Sequence, residues 1–226
     1  MSTKRPVRFI LGTHMVNTSS HPNLPQLISH QQIGDVTAMP GVIHFDTPES
    51  VRELLATFHA RGYTELDTAR NYVGSEQRLG AAKAPSQFTV HTKVNSGTPG
   101  DHEPAKIALS VEQSLENLKV PLVQTMFLHV PDRQTSYEET VRAMHEVRQQ
   151  GKCKEWGLSN YTAAEVAQIL AICERRGYSK PSVFQGHYNA IVRGGEEDLF
   201  PLLRKHGMAF WAYRYAFSDT RYLDFK

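Results

Sequence analysis

From residue 46 onward the spacing of apolar positions switches back and forth between two periods. Val51, Leu54, Leu55 and Phe58 recur at helical intervals behind the start signal Thr47-Pro48, so Asp46 to Arg61 is predicted to be a helix. The run 63–67 then alternates as a strand does. The exchange repeats: Gly74 to Ala84 is helical, with Ser75 and Glu76 near its start, and 88–93 is strand-like. Glu103 to Leu118 is amphipathic through Ile107, Val111, Leu115 and Leu118, and it leads to a strand over 123–129. Tyr137 to Gln150 is a charged surface helix carrying Val141, Met144 and Val147. Strand 153–158, helix 162–176, strand 182–185, helix 196–205 and the short run Ala209 to Tyr213 complete the series.

Repeated strand–helix units imply parallel strands joined by crossover helices. An open doubly wound sheet announces its ligand with a glycine-rich turn after the first strand, yet Gly12 and Gly34 stand alone. A (β/α) barrel instead gathers its site residues at the C-terminal ends of several strands. Three chemically capable residues, Asp67, Lys93 and His129, fall at such ends, so the expected fold class is an α/β TIM-type barrel. With Val7 to Gly12 as the first strand, about seven strands are counted where the barrel fold has eight.

Two segments break the pattern inside what is expected to be one domain over residues 1–226. Residues 14–40 are polar, rich in His, Pro, Ser and Gln, and aperiodic, which reads as an insertion far longer than the usual βα loop of about 2–6 residues. The tail 214–226 is too short for a further βα unit and a closing helix.

Composition narrows the function classes. A hydrophobic content of 40% and a charged content of 21% are ordinary for a soluble globular chain, and 226 residues suffice for one sizeable core. A formal net charge of +2 gives no reason to expect nucleic acid as a partner. No apolar run approaches the roughly 20 residues of a membrane span. No secretory signal is evident behind Met1-Ser-Thr-Lys-Arg-Pro6, and Cys153 and Cys173 have neither metal nor redox spacing, so a reduced, cytoplasmic protein is expected. The glycosylation patterns at Asn17 and Asn160 are then idle.

The chemistry concentrates around Glu65-Leu-Asp-Thr-Ala-Arg-Asn-Tyr72. Carbonyl reduction needs a hydride donor at carbon and a proton donor at oxygen. Free tyrosine, with a pKa of about 10, serves as that acid only when its surroundings tune it. A lysine ammonium nearby would stabilise the phenolate and lower the pKa; a carboxylate would hold the lysine charged; a histidine at the oxygen would add a hydrogen bond. Tyr72, Lys93, Asp67 and His129 supply one of each. Singly, each has a bland explanation: Asp67 as a turn or cap residue, Tyr72 as packing, Lys93 as a surface charge, His129 as a core histidine. Their coincidence at successive strand ends is harder to reach by accident.

With these residues in view, the sequence resembles the aldo-keto reductases. The resemblance rests on Asp67-Thr-Ala-x-x-Tyr72, Gly74-Ser-Glu76, Thr92-Lys93, Leu128-His129, Gly157-Leu-Ser-Asn160 and Gln185, over roughly residues 41–213. Phe127-Leu-His-Val-Pro-Asp132 and Phe184-Gln-Gly-x-Tyr-Asn189 look most like the aflatoxin-aldehyde reductase branch. It implies a TIM barrel, NADPH as cofactor, a small-molecule carbonyl substrate, Tyr72 as general acid and the other three in support. It further implies that Ser159, Asn160 and Gln185 hydrogen-bond the nicotinamide carboxamide, that Tyr213 stacks on the nicotinamide, and that homodimers form. Bland counterparts are a helix cap at Ser159-Asn160, a polar strand end at Gln185 and a core ring at Tyr213.

The departures matter too. After Tyr213 the family continues with a pyrophosphate loop, an eighth strand and a basic segment for the adenosine 2′-phosphate, none of which resembles Arg214-Tyr-Ala-Phe. The alternative expectation is therefore a non-catalytic or regulatory relative that binds cofactor weakly or not at all. A metal-dependent hydrolase is disfavoured, because the 11 histidines form no ligand pattern at strand ends.

Overall fold

The structure, a computed structural model, describes residues 10–13, 33–38 and 43–214. Its strands are β1 (Leu11–Gly12), β2 (Glu65–Asp67), β3 (Thr89–Lys93), β4 (Val123–Leu128), β5 (Cys153–Ser159), β6 (Val183–His187) and β7 (Ala209–Tyr213). They form one sheet in the order β1 to β7, and every neighbouring pair is parallel. Between them run α1 (Pro48–His59), α2 (Ser75–Ala81), α3 (Pro104–Leu118), α4 (Tyr137–Gln149), α5 (Ala163–Arg176) and α6 (Leu199–Lys205).

The sheet curls. Trp211 on β7 meets His91 on β3 edge to face at a centroid distance of 4.8 Å and Phe127 on β4 at 5.5 Å. Side chains four strands apart can touch only across the inside of an arc. The fold is an incomplete (β/α) barrel, and among the described residues no ladder joins β1 to β7.

Local chemistry sets the helix ends. Thr47 accepts from the Ser50 N–H while Ser50 Oγ accepts from the Thr47 N–H, a reciprocal cap one residue ahead of Pro48. Thr162 and Glu165 repeat that arrangement, so α5 starts at Ala163. The expected helix 74–84 is shorter, because α2 ends at Ala81 and a 3-10 turn, Ala84–Ser86, follows the left-handed Lys83. The expected helix 196–205 starts only at Leu199, behind a separate turn at Gly194–Glu196. On α3, Ile107, Val111, Leu115 and Leu118 are all buried, each side chain contributing about 1.5–3 kcal/mol by leaving water. Of the first predicted strand only Leu11 and Gly12 are described as strand; residues 7–9, most of 14–40 and the tail beyond Arg214 lie outside the described residues. Within the segment read as an insertion, Ile33 is buried and bridges to Phe45.

The barrel interior carries a polar layer. Between β3, β4 and β5, His91 Nδ1 lies 2.9 Å from Thr125 Oγ1, which donates to Glu155 Oε1 at 3.0 Å. His91 Nε2 lies 3.3 Å from Glu65 on β2. These residues point inward two or more positions below the strand tops, so they floor the site and stand apart from its mouth.

Candidate active site

The strand register decides which tops stand together. Asp67 pairs with Gly12 on one side and His91 on the other, so Lys93 projects two residues beyond it on the neighbouring strand. That step lets a long lysine fold back over a short aspartate. Lys93 Nζ donates to Asp67 Oδ1 and Oδ2 and to the Thr68 carbonyl, each at 2.8 Å. Three donors thus meet three acceptors, and the side chain is only 1% exposed. Burial pushes the Lys93 pKa below that of ordinary lysine, opposed by the Asp67 charge and its hydrogen bond.

Tyr72 follows in the loop after β2. A turn with the Tyr72 N–H on the Ala69 carbonyl returns the chain over the pair, and the Arg70 N–H bonds the Lys93 carbonyl. The Lys93 ammonium lies 5.2 Å from the Tyr72 ring centroid, and Phe127 flanks it at 5.8 Å. His129, one residue past β4, meets Tyr72 edge to face at 5.6 Å. The four expected catalytic residues therefore share one place, at the C-terminal mouth of the sheet.

Their electrostatics differ from the sequence-based expectation in one respect. The Tyr72 pKa is raised well above that of ordinary tyrosine, first by burial and then by the charge of Asp67. The three N–H groups of Lys93 are directed at Asp67 and Thr68, with the ammonium 5.2 Å from the Tyr72 ring centroid. Tyr72 is held as a neutral, protonated phenol.

The residues expected to contact a nicotinamide also cluster. Ser159 and Gln185 are register partners on β5 and β6, and Gln185 pairs with Trp211 on β7. Asn160, in the left-handed region at φ 66°, donates to the His129 carbonyl at 3.0 Å and to Ser159 Oγ at 3.1 Å. Tyr213 donates from its hydroxyl to Asn160 Oδ1 at 2.8 Å and stacks on His187 at 5.5 Å. The Asn160 amide is thus engaged within the protein at both ends.

Sequence reasoning missed the residues that hold the loop. Ser75 Oγ bridges to Thr13 Oγ1 at 2.9 Å and accepts from Thr68 Oγ1 at 3.0 Å, tying β1 to the loop carrying Tyr72. Glu76 is buried and accepts from Thr92 Oγ1 at 2.6 Å. Gly74-Ser-Glu76 is therefore a scaffold for the site. Asn71, between Asp67 and Tyr72, bonds the Ser96 backbone and approaches His129; its signal was only its position inside the motif.

The profile of the Aldo/keto reductase family matches residues 40–216. The chain belongs to that family. It is 40% identical to "Aflatoxin B1 aldehyde reductase member 2" of Mus musculus over 163 residues, covering 69% of this chain and 44% of that protein. It is 40% identical to "Aldo-keto reductase family 7 member A3" of Homo sapiens over 177 residues, covering 74% and 53%. "Oxidoreductase sirO" of Leptosphaeria maculans is 35% identical over 202 residues, covering 88% and 61%. The chain spans about half the length of the curated mammalian relatives it matches. Among solved structures, the crystal structure of a protein assigned as a 2,5-diketo-D-gluconic acid reductase B superposes with a TM-score of 0.63 at 22% identity, over 80% of this chain and 60% of that one. That likeness supports the fold of this family member. Among its described residues, no helix is long and apolar enough to cross a membrane, and no group of three or more His, Cys, Asp or Glu could hold a metal ion.

Proposed function

We propose that the site at Tyr72 reduces aldehydes or ketones to alcohols with NADPH as cofactor. The observation that carries this reading is the buried Lys93–Asp67 pair beneath a protonated Tyr72, with His129 edge-on beside it. What stands beside them suits the nicotinamide end of the cofactor: Ser159 and Gln185 are adjacent at two strand ends, and Asn160 would take the carboxamide by exchanging its contacts with His129 and Tyr213. When bound, that cofactor supplies the hydride. Tyr72 then delivers its proton to the substrate oxygen, and the resulting phenolate sits above the Lys93 ammonium. His129 orients the oxygen. Asp67 keeps Lys93 in place and compensated.

A second reading rests on the Tyr213–Asn160–His129 contacts. They occupy the amide that would take the carboxamide and fix the Tyr213 ring against His187, which favours a relative that binds nucleotide weakly. Titration of the purified chain with NADPH, followed by intrinsic fluorescence, separates the two. Saturable quenching with turnover of small aldehydes, abolished in Tyr72→Phe, supports the reductase; no quenching up to millimolar NADPH overturns it.

A further inference from the structure

A histidine ring is ambiguous until the groups facing its nitrogens are known. Asn71 removes that ambiguity for His129. Its Nδ2 donates to the Ser96 carbonyl at 2.8 Å, and its Oδ1 accepts the Ser96 N–H at 3.1 Å. A peptide N–H only donates and a carbonyl only accepts, so flipping the amide would lose both bonds. Ser96 is itself anchored, with its Oγ 2.8 Å from Nε2 of the buried His102. The Asn71 oxygen fixed in this way also stands 3.4 Å from His129 Nδ1. The contact is long, but its polarity is decided. A lone pair on Nδ1 would face a lone pair on oxygen, whereas a proton there makes a hydrogen bond.

We propose that Asn71 is a positioning residue that holds His129 in its Nδ1–H form, so that Nε2 carries a proton only when the ring is an imidazolium. The inference rests on the reductase reading of the site. In that reading His129 can donate to a carbonyl oxygen only while charged; while neutral it can accept from a product alcohol through Nε2. The proton added to oxygen still comes from Tyr72, and His129 gains and loses none in the step.

Among the described residues, the groups around His129 come from several elements. Tyr72 stands edge-on from the loop after β2, with Lys93 and Asp67 behind it. Tyr213 reaches the His129 carbonyl through Asn160. Asp132, three residues on, accepts from the Thr135 hydroxyl and from the N–H groups of Gln134 and His102. Among the described residues, Asn71 stands 3.4 Å from a ring nitrogen of His129, so a change there should move the ring's tautomer directly.

The test is a two-bond 15N–1H correlation spectrum of the labelled full chain across pH, with His129→Gln used to assign the signal. The neutral ring is expected as the Nδ1–H tautomer; a predominantly Nε2–H ring in the unaltered protein overturns the proposal without any variant. Asn71→Asp keeps an acceptor oxygen and adds charge, so the His129 midpoint should rise, while Asn71→Leu should let the Nε2–H tautomer appear. In turnover, the rate of carbonyl reduction should fall as pH rises through the His129 midpoint. That fall should move alkaline in Asn71→Asp and weaken in Asn71→Leu. An unchanged tautomer and pH profile in Asn71→Leu also overturns it. Should the chain neither bind NADPH nor turn over aldehydes, the reductase reading fails, and the spectrum still decides what Asn71 does.

Discussion

Lys93 Nζ lies 2.8 Å from each carboxylate oxygen of Asp67, in a place where the lysine is 1% exposed. A buried pair of this kind brings little net stability, but breaking it leaves a lone charge out of water. Asp67→Asn should therefore destabilise the fold by about 3–5 kcal/mol, measured by urea unfolding. The double variant Asp67→Asn, Lys93→Met should recover much of that loss. A double variant as unstable as the single one would show that geometry, and not the uncompensated charge, sets the cost.

Tyr72 should ionise above the ordinary tyrosine range of about 10, since burial and Asp67 both oppose the phenolate. Ultraviolet difference titration of the unaltered chain against Tyr72→Phe isolates its signal. Carbonyl reduction, which needs the protonated phenol, should show no loss attributable to Tyr72 below that range. The reverse oxidation, which needs the phenolate, should still be rising there.

His102 is fully buried, and its Nδ1 has no hydrogen-bond partner among the described residues. Burial pulls its pKa from 6.5 down to about 4, against the charges of Asp132 and Asp101. The folded state thus binds this proton less readily than the unfolded chain does. Stability linked to His102 is complete above its unfolded pKa and is lost as pH falls from there toward about 4. The loss should be on the order of 3 kcal/mol, read as the difference in urea unfolding between about pH 7 and about pH 4. His91 shifts in the same direction, so the His102 share is the part that disappears in His102→Gln.

Gly80 tests the packing of α2 on α3. A Cβ there would lie 2.0 Å from the Asn117 carbonyl oxygen, a backbone atom that cannot swing away. Alanine gains about 1 kcal/mol of helix propensity. Overpacking against backbone costs about 1–3 kcal/mol or more. Gly80→Ala should be net destabilising, seen as a lower melting temperature, and a neutral result would mean that the two helices separate easily.

Much of the fold could be read along the chain because the helix faces and strand runs from residue 46 to 213 are strongly periodic. Ile107, Val111, Leu115 and Leu118 announce α3, and they are the residues it buries. Element ends were less legible where no side chain marks them. The turn at Lys83 that stops α2, and the late start of α6 at Leu199, arise from backbone conformation and tertiary packing. The four residues Asp67, Tyr72, Lys93 and His129 were legible through their spacing at strand ends. The supports Asn71, Ser96 and His102 were not, because a neutral amide, a hydroxyl and a buried imidazole acquire meaning only from partners as far as 58 residues away in the chain.

The sequence by itself determined the alternation of strands and helices, the family, and the set of side chains proposed for carbonyl chemistry, since these follow from periodicity and from residue types at motif spacing. The tertiary structure alone decided how those side chains are charged and aimed. Register places Lys93 two residues above Asp67, so its three protons go to Asp67 and Thr68, while burial and the Asp67 charge push the Tyr72 pKa up. It also brings the Asn71 oxygen to within 3.4 Å of His129 Nδ1, a contact that no motif encodes. Both outcomes depend on distances between segments, and electrostatic and hydrogen-bond energies change sharply over an ångström or two.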